Sequence, residues 1–247
     1  MKKIIIILIL FKSLNSKANY TSVSFWDFAY NPIYGIVDKN IVYCSFENQY
    51  WINEWNNKTL GVAINNKEYS VQFQLEQRGN SKFSQNQLLG SYSKYLSPKL
   101  KLGIGIQFFF IQQAEIHEIN GLLKPFFGFS YKLDNFNTLF CSISNYEFNP
   151  NRSEVPDQIN GQWLHYFSKK ARGLISIETG IYNNFNFRIS GIFQPHKQLN
   201  LCLEVNSTDS PIQFISNWVV KDWEIRLLNG FNQRLGMSNQ LGLAYSW

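Results

Sequence analysis

Large apolar residues recur at every second position along most of this chain. Nothing else in the sequence restricts the fold as much. Successive side chains of a strand point to opposite faces, so a period of two means strands with one greasy face. Tyr69, Val71, Phe73 and Leu75 alternate with Glu68, Ser70, Gln72, Gln74 and Glu76. Leu100, Leu102, Ile104, Ile106, Phe108 and Phe110 alternate with Lys101, Gly103, Gly105 and Gln107. Leu199, Leu201, Leu203 and Val205 alternate with Asn200, Cys202, Glu204 and Asn206. The pattern predicts fourteen strands, at 41–50, 59–66, 68–77, 84–96, 99–112, 121–132, 137–147, 158–168, 172–182, 185–194, 197–206, 210–219, 221–229 and 236–247. About ten residues is the length of a tilted strand that crosses a bilayer.

The last of these stretches, GMSNQLGLAYSW, ends the sequence. Leu241, Leu243, Tyr245 and Trp247 form its apolar face, and Gly242, Ala244 and Ser246 stand between them. A soluble protein can end on such a strand. A greasy strand with a terminal aromatic looks more like the final strand of a bacterial outer-membrane barrel, whose lipid face must be apolar. That resemblance implies that Leu241, Leu243, Tyr245 and Trp247 form the signal read by the barrel assembly machinery.

Residues 1–18 read as a secretory signal peptide. Lys2 and Lys3 precede an apolar run from Ile4 to Phe11, and Ser16-Lys17-Ala18 supplies small residues for a cut after Ala18. The run is too short to span a bilayer as a helix. No later segment is long and apolar enough, so any span must be made of strands. The formal charge of +6 falls to +2 once Lys2, Lys3, Lys12 and Lys17 leave with the signal. That balance does not point to nucleic acid. Cys44, Cys141 and Cys202 are an odd number, far apart, and give neither a disulfide framework nor a zinc spacing.

Residues 19–40 are irregular and aromatic-rich, with Asn31-Pro32 and Gly35 speaking against a strand. They are expected to fold into or across one mouth of the barrel as a plug or lead-in, Asn31 and Pro32 being the candidate plug residues. Residues 41–247 then form the barrel. Its connections are expected to alternate, with long ones at 51–58, 78–83, 113–120 and 148–157 and short ones between. Outer-membrane barrels have short periplasmic turns and longer outside loops. Trp51, Trp55, Tyr95, Trp163, Trp218, Trp223 and Trp247 stand at or near predicted strand ends, where membrane-interface girdles place amphipathic rings.

The polar alternates must face the lumen, because polar groups left in hydrocarbon are costly. Glu68, Glu76, Lys101, Lys124, Lys132, Glu178, Arg188, Glu204, Glu224 and Arg226 form this charged lumen set. Their mixed signs and near-zero balance favour a plugged, ion-paired interior over a selective pore. No catalytic, cofactor or metal motif is visible. His117 is expected in an outside loop, His196 in a periplasmic turn and His165 near a strand centre beside Trp163 and Phe167. None has a serine or acid at a telling spacing. Gly103 and Gly105 lie inside a strand and relieve crowding there.

Three segments carry a resemblance. Tyr30-Asn31-Pro32, the run SFENQY from Ser45 to Tyr50, and the run QLLGSYSKYLSPKLKLGIG from Gln87 to Gly105 resemble Bacteroidota outer-membrane barrels of the PorV/PorQ-like type, relatives of FadL-type fatty-acid channels. Asn31 to Tyr34 also matches, more loosely, the start of the PorP/SprF-like group. The resemblance implies a fourteen-stranded barrel with its N-terminal segment lodged inside. It implies a role in transport or type IX secretion, with passage of hydrophobic small molecules as one form. The competing expectation is a non-conducting scaffold that binds a partner protein. Outer-membrane lipid, the assembly machinery and secretion-system proteins are the partners expected, and no cofactor is.

Overall fold

The computed structural model of the chain describes residues 39–52, 56–66, 68–80, 82–113, 116–144, 158–180, 185–207 and 212–247. The signal segment, most of the plug segment including Asn31 and Pro32, and Trp55 lie outside them. Fourteen strands follow in order: β1 (Ile41–Asn48), β2 (Asn56–Asn65), β3 (Tyr69–Gly79), β4 (Phe83–Tyr95), β5 (Leu100–Gln113), β6 (Ile116–Lys132), β7 (Asn137–Ser144), β8 (Gln158–Tyr166), β9 (Ala171–Gly180), β10 (Phe185–His196), β11 (Leu199–Asn206), β12 (Ile212–Val220), β13 (Trp223–Asn232) and β14 (Gly236–Ser246). Each pairs antiparallel with its sequence neighbours, and β14 returns to β1 to close a barrel. The seam runs from Ile41 opposite Ser246 to Asn48 opposite Asn239. It is extended by reciprocal backbone bonds between Asn40 and Trp247, at 3.2 and 3.1 Å. Closure leaves none of the described strands at the open edge of a sheet.

The two faces of this sheet have opposite chemistry. Val42, Phe46, Leu60, Ile64, Val71, Phe73, Ile104, Ile106, Phe127, Ile175, Leu203 and Leu241 are all exposed on the outer face. Ser70, Gln72, Gln74, Ser93, Lys101, Lys124, Ser176, Glu204, Asn217, Arg226 and Gln240 are buried on the inner one. An apolar surface that runs round a whole barrel far exceeds the few hundred Å² a soluble monomer leaves in water. It is the band expected of a wall that faces lipid.

Rings gather outside at the rim where β14 ends. Trp223 packs against Tyr245 with centroids 4.8 Å apart, and Tyr245 stacks on Trp247. Trp163, His165 and Phe167 form a second run, in which Trp163 Nε1 donates to Asn137 Oδ1 at 3.0 Å. His165 therefore sits on the outer face one residue from the end of β8, and not at a strand centre. Tyr95 departs from the girdle expectation too. Its parity turns it inward, where the Lys101 ammonium lies 5.7 Å from its ring.

Turns at this rim are short, as at 66–68, 197–198 and 221–222. The expected contrast with the far rim is weaker than the sequence implied. The connection after β3 is only 80–82 and that after β5 only 114–115, because the ladders continue into the polar residues that flank them. Arg78 still pairs with Gln85, and Gly79 at φ 110° opens the hairpin that Asn80 Oδ1 caps. His117 belongs to β6 rather than to a loop. His196 ends β10, after a register shift that accommodates Pro195.

Candidate functional site

A barrel of about eight strands is just filled by its own side chains, so fourteen strands leave room inside. The room is distributed unevenly. Around β1 to β6 the wall is thickened by large side chains laid over glycine. The Tyr43 ring covers Gly61, where a Cβ would overlap it, and its hydroxyl donates to Gln74 Oε1 at 2.6 Å while accepting from Gln72 Nε2 at 3.2 Å. The Phe126 ring lies over Gly105 in the same way. Phe140 and Leu164 add a small apolar cluster nearby.

The other half of the wall, from β8 round to β1, borders a cavity of about 350 Å³. Amides are the commonest side chains on its surface, Asn160, Gln162, Asn186, Asn200, Asn206, Gln213, Asn217 and Gln240, and Leu174, Ile192, Ile215 and Leu228 give it an apolar share. Arg172, Arg188 and Arg226 stand among them, with Glu47, Glu178 and Glu204. The best-defined charges are Arg188 and Glu204, on adjacent strands. Arg188 Nε lies 3.2 Å from Glu204 Oε1. Ser190 Oγ donates to Glu204 Oε2 at 2.9 Å and Asn206 Nδ2 to Oε1 at 3.4 Å. Glu204 is only 7% exposed, so its carboxylate is held in place, whereas the Arg188 side chain is 45% exposed to the cavity. Such a surface can hydrogen-bond a polar solute. Among the described residues no three His, Cys, Asp or Glu side chains converge as metal ligands would.

Comparison with solved structures gives the architecture its context. The toluene transporter TodX of Pseudomonas putida aligns over 96% of this chain and 96% of its own, with a TM-score of 0.62 at 9% identity. The toluene transporter TbuX of Ralstonia pickettii aligns over 95% of each chain, with a TM-score of 0.61 at 6% identity. A FadL homologue of Pseudomonas aeruginosa matches over 85% of this chain and 89% of its own, with a TM-score of 0.55 at 10% identity. The fold is that of an outer-membrane β-barrel. No protein-family model and no curated protein sequence matches the chain. The likeness lies in the barrel that the chain shares with these FadL-type structures.

Within this barrel, the residues expected to form the lumen set fall in different places. Glu178, Arg188, Glu204 and Arg226 meet at the cavity. Lys101, Lys124 and Glu76 face inward on the crowded side. There the Lys124 ammonium lies 6.0 Å from the Phe109 ring, and Glu76 accepts from Asn57 Nδ2 at 2.9 Å. Glu224, opposite Val219 and Ala244, and Lys132, at the end of β6 opposite Thr138, share their parity. Glu68 is displaced from the set. It lies exposed in the 66–68 turn, because β3 begins one residue later, at Tyr69. Sequence reasoning passed over Glu47 and Arg172, each the second residue from an end of its strand. Leu241, Leu243, Tyr245 and Trp247 form the outer face of β14, with Gly242 and Ala244 buried inside.

Proposed function

We propose that this chain is a channel of the Gram-negative outer membrane that passes small solutes, and that it is not an enzyme. The observation that carries the reading is the cavity bounded by hydrogen-bonding side chains inside a closed barrel with an apolar exterior. TodX and TbuX, which share the fold, are toluene transporters. Passage of hydrophobic molecules would be the matching narrower role here. Against it stands the amide-rich wall, since an apolar solute would strip those groups of water and offer nothing in return. A type IX secretion role rests on the motif resemblance alone, and co-purification with secretion proteins is its test. The assembly-signal role of Leu241, Leu243, Tyr245 and Trp247 belongs to this reading too.

Purified protein in planar bilayers tests the proposal. Discrete conductance steps are expected. A folded barrel that conducts nothing would instead be a scaffold, with a partner to be sought by pull-down from outer membranes.

A further inference from the structure

We infer that the lumen selects small, uncharged, hydrogen-bonding solutes of the sugar class, and that Arg188 and Glu204 together keep it from selecting ions. The inference rests on the channel reading and adds its substrate class.

Four observations support it. Arginines and glutamates line the cavity in equal number, three of each. Ion-selective pores instead present rings of one sign at the constriction. The charges are also compensated locally. Arg188 reaches Glu204 Oε1 at 3.2 Å, Asn206 donates to the same oxygen, and Ser190 holds Oε2. A carboxylate held this way cancels the guanidinium where a passing ion would meet it. What else meets a solute is amide and hydroxyl chemistry beside the apolar side chains of Leu174, Ile192, Ile215 and Leu228. Asn and Gln each offer donors and acceptors, the match for a hydroxyl group that is both. Finally, about 350 Å³ is at the low end of small-molecule sites, which run from roughly 300 to 1,000 Å³. That suits one small solute rather than a polymer coil.

The test uses the full mature barrel in proteoliposomes and planar bilayers, with folding checked by heat-dependent gel migration. Wild-type vesicles should swell in isosmotic glucose. The potassium-to-chloride permeability ratio should stay within about twofold of one, as a compensated wall requires. Glu204→Gln leaves Arg188 uncompensated and should shift the ratio several-fold toward chloride. Arg188→Gln should shift it toward potassium, and the double variant should return it toward one. A channel that conducts but admits no glucose, or is strongly ion-selective as wild type, would overturn the inference and leave the channel reading intact. So would a Glu204→Gln barrel whose ratio does not move. Should Glu204→Gln fail to fold, Arg188→Gln decides alone by the same criterion. A wild-type barrel with neither swelling nor conductance would overturn the channel reading itself.

Discussion

At the scale of single residues, the inner wall depends on places where a side chain is missing. Gly61 makes room for Tyr43, whose hydroxyl joins β1 to the glutamines of β3. Gly61→Ala should therefore destabilise the barrel by roughly 1–3 kcal/mol, the usual range for overpacking. In a Tyr43→Ala background the same change should cost almost nothing, and a double-mutant cycle in urea would show it. Lys221 has the opposite problem. It opens the 221–222 turn at φ 57°, a conformation that costs a side-chain-bearing residue about 1 kcal/mol or more. Lys221→Gly should raise stability by about 1 kcal/mol. Asp134 caps the turn between β6 and β7. Hydrogen bonds from the Asn137 side chain first, and then from the Phe136 N–H, hold its carboxyl below the usual carboxylate range. A lowered folded pKa gives stability that is complete above the unfolded value, near 3.9, and is lost as pH falls through the folded one. The penalty of Asp134→Ala in melting temperature should thus be present at pH 7 and shrink in strong acid.

At the scale of the strand, depth and face decide what a substitution costs. Ile104 lies mid-strand on the lipid side of β5, and Gln107 faces the lumen. Ile104→Arg should cost about 2–4 kcal/mol in a reversible unfolding titration, and Gln107→Arg far less. This contrast is also why the strands were legible in the sequence. A wall between lipid and water forces alternation, and the expected strands match the observed ones closely, as at 99–112 against Leu100–Gln113. The loops were less legible, because polarity does not separate a loop from a ladder that continues beyond the membrane. Arg78 and Gly79 look like loop and are strand. The candidate site was legible only in part. Parity assigned Arg188 and Glu204 to the inside, but their pairing depends on register, which the sequence pattern does not state. Nor did parity show that Tyr43 and Phe126 would fill one half of the lumen and leave the cavity to the other.

At the scale of the whole molecule, the central claim is that lipid touches one face and water the other. The three native cysteines test it without elaborate engineering. Cys44 is exposed on the outer face of β1, and Cys141 alternates with inward Phe140 and Ser142 on β7. Cys202 points the other way and lines the cavity. Single-cysteine variants in native outer membranes should be treated with a small, charged, membrane-impermeant thiol reagent, and then with a lipid-soluble one. The account predicts that Cys202 reacts with the charged reagent while Cys44 and Cys141 are spared by it and modified by the lipid-soluble one. Rapid reaction of Cys44 and Cys141 with the charged reagent, with Cys202 protected from it, would contradict the account.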